Sequence, residues 1–155
     1  MNLQLSDHAK VTWILVARRD GATVFSSNGR GRPLTVAHRI PHPEGRLRPR
    51  DIDTDRPGRA FDRGGYGRHA FSTEENPAER VEHEWAVHLA RYLDNYRATN
   101  AYDRLVLIAP PKLLGLLRDA LPTPTQRVVV AELTKDLIDP DGTEVRNRLE
   151  GVVRL

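Results

Sequence analysis

Two continuous apolar runs in the second half of the chain set the strongest limit on its fold. Residues 104–109 consist of RLVLIA and residues 127–133 of RVVVAEL, and both have the length and composition of buried strands. A short helical pattern rich in leucine, ending near Leu121, lies between them. Strands separated by a helix pair in parallel, and a parallel sheet needs helices against its faces. The sequence therefore predicts an α/β fold.

The first forty residues predict three more strands. Apolar runs of strand length occur at 11–17, 22–27 and 34–40. An Asp-Gly pair at 20–21 separates the first two, and an Asn-Gly pair at 28–29 precedes the third. Both pairs favour tight turns, so we expect the chain to begin with an antiparallel meander.

A long helix is predicted after residue 76. Asn76 is the candidate N-cap, Pro77 suits the first helical position, and Glu79 lies three residues past the cap. Apolar side chains then recur every three or four residues, at Val81, Trp85, Leu89, Tyr92, Leu93 and Tyr96. After the last strand, a final helix is predicted from about Thr143, with Val145, Leu149 and Val152 facing inward.

The predicted order is β-β-β-α-β-α-β-α, which gives a mixed sheet with helices on its faces. This order matches the ribonuclease H-like architecture. A length of 155 residues suits a single α/β domain over 1–155. Residues 42–75 show neither helical nor strand periodicity, and so long an irregular segment in a compact domain is commonly functional.

The second half of this Arg/Gly-rich loop has the composition of a binding surface for RNA or another anion. Glycines allow backbone N–H groups to approach an anion, arginines supply charge, and aromatic rings among arginines suit RNA. The candidate binding residues are Arg56, Arg59, Arg63, Gly64, Gly65, Tyr66, Gly67, Arg68 and His69. The alternative is that these arginines pair with the carboxylates of the same loop and only hold it to the domain.

Charge is distributed unevenly along the chain. Residues 1–70 contain 13 Lys and Arg against 7 Asp and Glu, whereas residues 71–155 contain 11 against 14. Only three of the 24 basic residues are lysine. The guanidinium group suits phosphate and base stacking, so the basic half of the chain favours an anionic partner.

Several chemistries are disfavoured by the residues present. The chain has no cysteine, which excludes disulfides and thiolate sites. His83 and His88 resemble a zinc-protease pair, but a spacing of five places them on different faces of a helix. We expect no metal and no cofactor. No export signal or membrane-length apolar run is found, so we expect a cytoplasmic protein without a membrane partner.

Five segments of the chain closely resemble the bacterial host-attachment protein family, named for attachment to host cells. They are TWILVARRDGATVF, HPEGRLRPRDIDTDRPGRAFD, GGYGRHAF, RLVLIAPPKLLGLLR and VVVAELTKDL. The resemblance covers nearly the whole chain, and the stretches DRPGR and APPKLLGLLR are specific to it.

This family in turn resembles the middle domain of archaeal and eukaryotic class I peptide-release factors, which has the same order of elements. In that domain a Gly-Gly-Gln tip enters the ribosomal peptidyl-transferase centre. Gly64 and Gly65 match the two glycines, whereas Tyr66 replaces the glutamine that helps position a water. The resemblance implies an RNA- or ribosome-associated domain without the usual peptidyl-tRNA hydrolysis.

Three functions follow as expectations. The first is a non-catalytic or weakly catalytic domain that binds rRNA, tRNA or the ribosome. The second is a hydrolase at the cleft between loop and sheet, which acts either on peptidyl-tRNA or another ester with His69 as base, or on a phosphorylated small molecule held by the loop. The third is a protein-interaction module that affects attachment indirectly, in which case a homo-oligomer is possible.

Overall fold

A computed structural model describes residues 10–46 and 76–155 of the protein. The elements in these ranges are, in chain order, β1 (Thr12–Arg18), β2 (Gly21–Ser27), β3 (Thr35–Pro41), a 3-10 helix (Pro43–Arg46), α1 (Pro77–Ala98), β4 (Arg104–Ala109), α2 (Pro111–Ala120), α3 (Thr123–Gln126), β5 (Val129–Thr134) and α4 (Gly142–Leu149). The predicted order of strands and long helices is confirmed.

The five strands form one mixed sheet in the order β3-β2-β1-β4-β5. β1 pairs antiparallel with β2, and β2 with β3, which confirms the predicted meander. β1 pairs in parallel with β4, and β4 with β5, so β1 is the central strand where the two kinds of pairing meet. The mixed α/β sheet predicted from the sequence is therefore confirmed.

The first turn lies one residue earlier than predicted. Arg18 pairs with Gly21 across β1 and β2, so the two loop residues are Arg19 and Asp20. Gly21 instead begins β2, where a Cβ atom would lie 3.3 Å from the Ile40 carbonyl oxygen of β3. Close packing of the neighbouring strand, rather than the turn, favours glycine at this position.

The side chains of β1 alternate between two apolar clusters, one on each face of the sheet. Trp13, Leu15 and Ala17 face α1 and α2, where the larger cluster also includes Leu89 and Leu107. Ile14 and Val16 face the opposite side, where α4 contributes Val145 and Leu149 to the smaller cluster. A central strand buried on both sides explains the continuous apolar run near the N-terminus.

The start of α1 follows its sequence signals. The backbone N–H of Glu79 donates to the Asn76 side-chain oxygen at 2.8 Å, and Pro77 occupies the first turn. Trp85, Leu89 and Leu93 are buried on one side of the helix, as predicted. None of the helices in residues 10–46 and 76–155 is long and apolar enough to cross a bilayer.

Two predictions near the C-terminus are wrong in detail, and one short helix was not predicted. β5 begins at Val129 rather than at residue 127. It is an edge strand with partly exposed side chains, since no described strand lies on its outer side. Residues 123–126 form the unpredicted helix α3, with Pro122 as its N-cap and Pro124 in its first turn. α4 ends at Leu149, so Val152 lies past its end and is 46% exposed.

Candidate anion-binding cleft

Four strands end at the same edge of the sheet. β1, β4 and β5 run in parallel, and β3 has the same direction because it is antiparallel to β2. Residues that follow these strands therefore gather at this carboxyl edge, where ligands commonly bind in α/β folds. Arg46 and Asn76, which flank segment 47–75, both lie here, because the 3-10 helix after β3 packs against α1.

Ring stacking and two hydrogen bonds fix the chain where it leaves β3. The His42 ring stacks on Trp85 with centroids 4.2 Å apart and planes inclined by 4°. Trp85 Nε1 donates to the Arg18 carbonyl oxygen at 2.7 Å. His42 Nδ1 lies 2.6 Å from the Arg19 carbonyl oxygen, so this nitrogen donates and carries the ring hydrogen. The turn between β1 and β2 thus holds both rings in place.

Gly45 makes the closest backbone approach at this point. A Cβ atom on Gly45 would lie 1.7 Å from the Arg19 carbonyl oxygen, which no side chain tolerates. Residues 43–46, which the sequence assigned to an irregular loop, therefore form a 3-10 helix packed against the turn. The aperiodic pattern missed it because four residues are too few to show a helical period.

A cleft of about 310 Å³ opens beside this point on the α4 face of the sheet. Its floor includes Val16 of β1 and Leu137, both 4% exposed. Arginines line it from three segments: Arg18 from β1, Arg39 from β3 and Arg46 from the 3-10 helix. The lining also includes Asp20 and Asp139.

Arg18 is held in a fixed position by carboxylates. Its Nε donates to Asp136 Oδ1 at 2.7 Å, and its Nη1 lies 3.6 Å from Asp20 Oδ1. The hydrogen bond to Asp136, together with the nearby charges of Asp20 and Asp139, raises the pKa of Arg18. Most of the charge of Arg18 is therefore balanced within the protein.

Arg46 and Arg39 are less constrained. Arg46 Nε lies 3.7 Å from Asp20 Oδ2, while its side chain is 73% exposed. Arg39 is also exposed, and among the described residues no carboxylate lies within 4.0 Å of its guanidinium. The cleft thus combines one fixed guanidinium with two that are available to a ligand.

The carboxyl edge on the α1 side carries ion pairs. Lys112, at the start of α2, lies 3.6 Å from Glu79 and 3.8 Å from Glu82 of α1. His83 and His88 are both exposed on α1. Within residues 10–46 and 76–155, no three His, Asp or Glu side chains are placed to hold a metal ion together.

The binding residues predicted from the sequence lie outside the described residues. They are Arg56, Arg59, Arg63, Gly64, Gly65, Tyr66, Gly67, Arg68 and His69, and they stay a prediction. Sequence reasoning missed Arg18, Arg39 and Asp139, which come together from distant segments. One signal was present: Arg39 is the charged residue in an otherwise uncharged strand-length run, directly ahead of Ile40.

The fold and the cleft define a class of protein: a mixed α/β domain with an arginine-lined cleft at the carboxyl edge of its sheet. Residues 13–149 match the protein family described as "Protein required for attachment to host cells". The match covers most of the chain, so the protein belongs to this family. The resemblance noted from its sequence segments is confirmed.

Solved structures with a similar fold include two archaeal proteins. One is an archaeal translation termination factor, aRF1, with a TM-score of 0.51 and 13% identity over 97% of this chain and 37% of that chain. The other is described as an archaeal protein, with a TM-score of 0.49 and 10% identity over 96% of this chain and 35% of that chain. This chain thus spans little more than a third of either length. No curated protein matches the sequence. At such identities the likeness to the termination factor is one of fold.

Proposed function

We propose that this protein is an RNA- or ribosome-associated domain, similar to a release-factor domain that lacks the catalytic glutamine. Segment 47–75 makes the contact. Its arginines, Arg56, Arg59, Arg63 and Arg68, bind phosphates, and Tyr66 or His69 stacks on a base or occupies the position of the glutamine. Gly64, Gly65 and Gly67 allow the backbone to approach the RNA closely.

The observation that supports this function most is the position of the ends of segment 47–75. The residue before the segment, Arg46, and the residue after it, Asn76, both lie at the carboxyl edge of the sheet, where Arg46 lines the same cleft as Arg39. The segment is thus joined to the fold at the edge of the sheet where the described residues Arg39 and Arg46 expose their guanidinium groups. A basic edge of this kind attracts a polyanion.

The fold likeness to a translation termination factor adds a second line of support. That protein is a translation termination factor, and in the sequence resemblance to release factors Tyr66 stands where their Gly-Gly-Gln tip has glutamine. Because a tyrosine ring cannot present an amide to a water, we expect RNA binding to persist without release activity. We therefore expect a binding protein rather than an enzyme.

Co-sedimentation with ribosomes at about 50 mM and about 200 mM salt tests this function, since affinity built on several phosphate contacts falls steeply with salt. The quadruple variant R56A/R59A/R63A/R68A is expected to lose most of the association. The matched control R91A/R127A/R148A/R154A removes four exposed arginines of the described structure and is expected to retain it. Absence of association for the natural protein at low salt contradicts the proposed function, as does equal loss in both variants.

The two alternatives receive less support. Hydrolysis at the cleft needs a nucleophile or base. The described lining contains no histidine, and of its two carboxylates Asp20 is in contact with Arg18 and Arg46. Replacement of His69 by Ala, with any hydrolysis of model esters measured, tests the base predicted from the sequence. An interaction module would bury a large apolar patch, whereas the described residues include only four large exposed apolar side chains, on separate segments of the chain: Val36, Val130, Ile138 and Val152.

A further inference from the structure

We infer that the cleft on the α4 face binds a phosphate monoester with a hydroxylated body about the size of a nucleoside. The cleft is formed by described residues, and none of the residues of segment 47–75 is needed for this binding. Ligand binding here can therefore be measured apart from RNA binding by that segment. Three features of the cleft identify the ligand: its free cations, its apolar floor and the backbone of Asp139.

The three arginines of the cleft are matched in number by Asp20, Asp136 and Asp139, but two of the guanidinium groups, those of Arg39 and Arg46, are exposed and only weakly held. Arg18 is held by Asp136 and Asp20, so Asp20 has little left to balance Arg46. The contact between Arg46 and Asp20 is long, at 3.7 Å, and an exposed pair of this kind contributes little to stability. Arg39 has no carboxylate partner among the described residues. A phosphate dianion, which accepts hydrogen bonds from more than one guanidinium, fits this pair of cations.

The size and floor of the cleft indicate a ligand larger than a bare anion. A volume of about 310 Å³ lies at the lower end of the range for small-molecule sites, about 300–1,000 Å³. Val16 and Leu137 form a buried apolar floor, and Pro41 and Pro140 are rigid parts of the wall. Inorganic phosphate covers none of this apolar surface, whereas a planar ring attached to the phosphate would.

Asp139 supplies the third feature. Its φ angle is 42°, in the left-handed region that residues other than glycine adopt only at a cost in energy. Such backbone strain is concentrated at binding and active sites, and here it occurs in the wall of the cleft. Within the cleft the carboxylate of Asp139 can accept hydrogen bonds from ligand hydroxyl groups but repels phosphate. A ligand of this kind places a sugar hydroxyl on the carboxylate of Asp139 and its phosphate on the guanidinium groups of Arg39 and Arg46.

Calorimetric titration of the full chain with adenosine 5′-monophosphate, adenosine and inorganic phosphate tests the site. Adenosine 5′-monophosphate is expected to bind at least about tenfold more tightly than either of the other two, a difference of about 1.4 kcal/mol. Arg39→Ala is expected to weaken this binding by about tenfold or more, while the control Arg127→Ala, an exposed arginine near the opposite edge of the sheet, leaves it unchanged. Arg39 is exposed, so an unchanged melting temperature shows that the variant is folded.

Asp139→Asn tests the hydroxyl contact of the ligand separately from its phosphate contacts. Asparagine tolerates a positive φ angle, so the backbone of the cleft is expected to keep its conformation. The substitution is expected to reduce the preference for adenosine 5′-monophosphate over inorganic phosphate. Three results would each overturn the assignment: no binding of the monophosphate at millimolar concentration, equal affinity for monophosphate and inorganic phosphate, or equal binding by the Arg39→Ala variant. Ribosome co-sedimentation of Arg39→Ala, run in parallel, shows whether loss of ligand binding in the cleft is accompanied by loss of ribosome association.

Discussion

The two faces of the sheet differ in how completely helices cover them. On one face, α1 and α2 cover the strands, and the cluster beneath them includes Leu89, Leu93 and Leu107, each 0% exposed. On the other face, the described residues contribute one helix of eight residues, α4, which covers the centre of the sheet and leaves the ends of β2 and β3 at the cleft. One face thus stabilises the fold, and the incompletely covered face is the one available to a ligand.

Neighbouring residues of β3 show the contrast directly. His38 points to the α1 face, where its ring lies 4.7 Å from Tyr96 and its Nδ1 is 2.5 Å from the Tyr92 hydroxyl oxygen. Arg39, the next residue, points to the open face and lines the cleft. Alternation along a strand therefore places an aromatic network and a ligand-binding side chain one residue apart.

The largest expected effect comes from a cavity in the covered face. Leu89→Ala is expected to destabilise the protein by about 3–5 kcal/mol, because the side chain is fully buried between α1 and the sheet. Leu149→Ala, equally buried on the α4 face, is expected to cost less, about 2–3 kcal/mol, since α4 is short and can shift into the space. Urea denaturation of both variants provides the measurement. A larger loss of stability for Leu149→Ala than for Leu89→Ala would show that the α4 face is the more tightly packed of the two.

The next effect concerns the point where the chain leaves β3. Gly45→Ala is expected to cost about 1–3 kcal/mol, because its Cβ would overlap the Arg19 carbonyl oxygen and force the 3-10 helix away from the turn. The His42 ring would move off Trp85, which tryptophan fluorescence reports. Gly115→Ala is the matched control: nothing lies within 4 Å of a Cβ there, and in the interior of α2 alanine should stabilise by about 0.5–1 kcal/mol. Equal effects at the two glycines would contradict the packing at Gly45.

A smaller effect tests the polar bonds of the covered face. The Tyr102 hydroxyl donates to the Leu93 carbonyl oxygen at 2.6 Å, and Tyr102→Phe is expected to cost about 0.5–1.5 kcal/mol.

Burial raises the pKa of Tyr102 above its usual value of 10.0, and burial, followed by Tyr96, raises the pKa of Tyr92 to about 12. Their stabilising contribution is complete below pH 10 and decreases as the pH rises further, because the unfolded chain loses these protons first.

Denaturation curves between pH 8 and pH 11 measure this dependence. The natural protein is expected to lose stability above about pH 10, and Tyr102→Phe to lose less over the same interval, with Tyr92 still contributing. An identical pH dependence in the two proteins would show that Tyr102 ionises as readily in the folded chain as in the unfolded one.

The smallest effect is expected on the open face. Arg39→Ala should change the free energy of unfolding by less than about 0.5 kcal/mol, because the side chain is exposed and has no described carboxylate partner. His38→Ala, one residue earlier, should cost about 1 kcal/mol or more through loss of its ring contacts and its bond to Tyr92. Thermal melting of the two variants compares the faces at adjacent positions, and similar losses would show that both are equally packed.

Local signals in the sequence were sufficient for most of the elements. Asn76 and Pro77 identified the start of α1 because a cap and a first-turn proline act within a few residues. The edge position of β5 was not predictable in this way. Its apolar run resembles that of β4, and which of two such strands lies at the centre depends on pairing between segments far apart in the chain.

The cleft could not be predicted for a similar reason. Arg18, Arg39 and Asp139 have no shared motif, and only the sheet brings β1, β3 and the segment after β5 to one edge. The predicted binding residues at 56–69 depend instead on local composition, and ribosome co-sedimentation is the measurement that decides them. What the structure contributes is the point at which that segment joins the fold.

The close packing of Gly45 and His42 at this junction has a consequence for sequence variation in the protein. The described residues on either side of segment 47–75, His42 and Asn76, are held by contacts with other described residues. Changes of sequence within 47–75 should therefore leave the stacking of His42 on Trp85 and the cap of α1 unchanged. The positions at which the segment joins the fold can thus be kept while its own sequence varies.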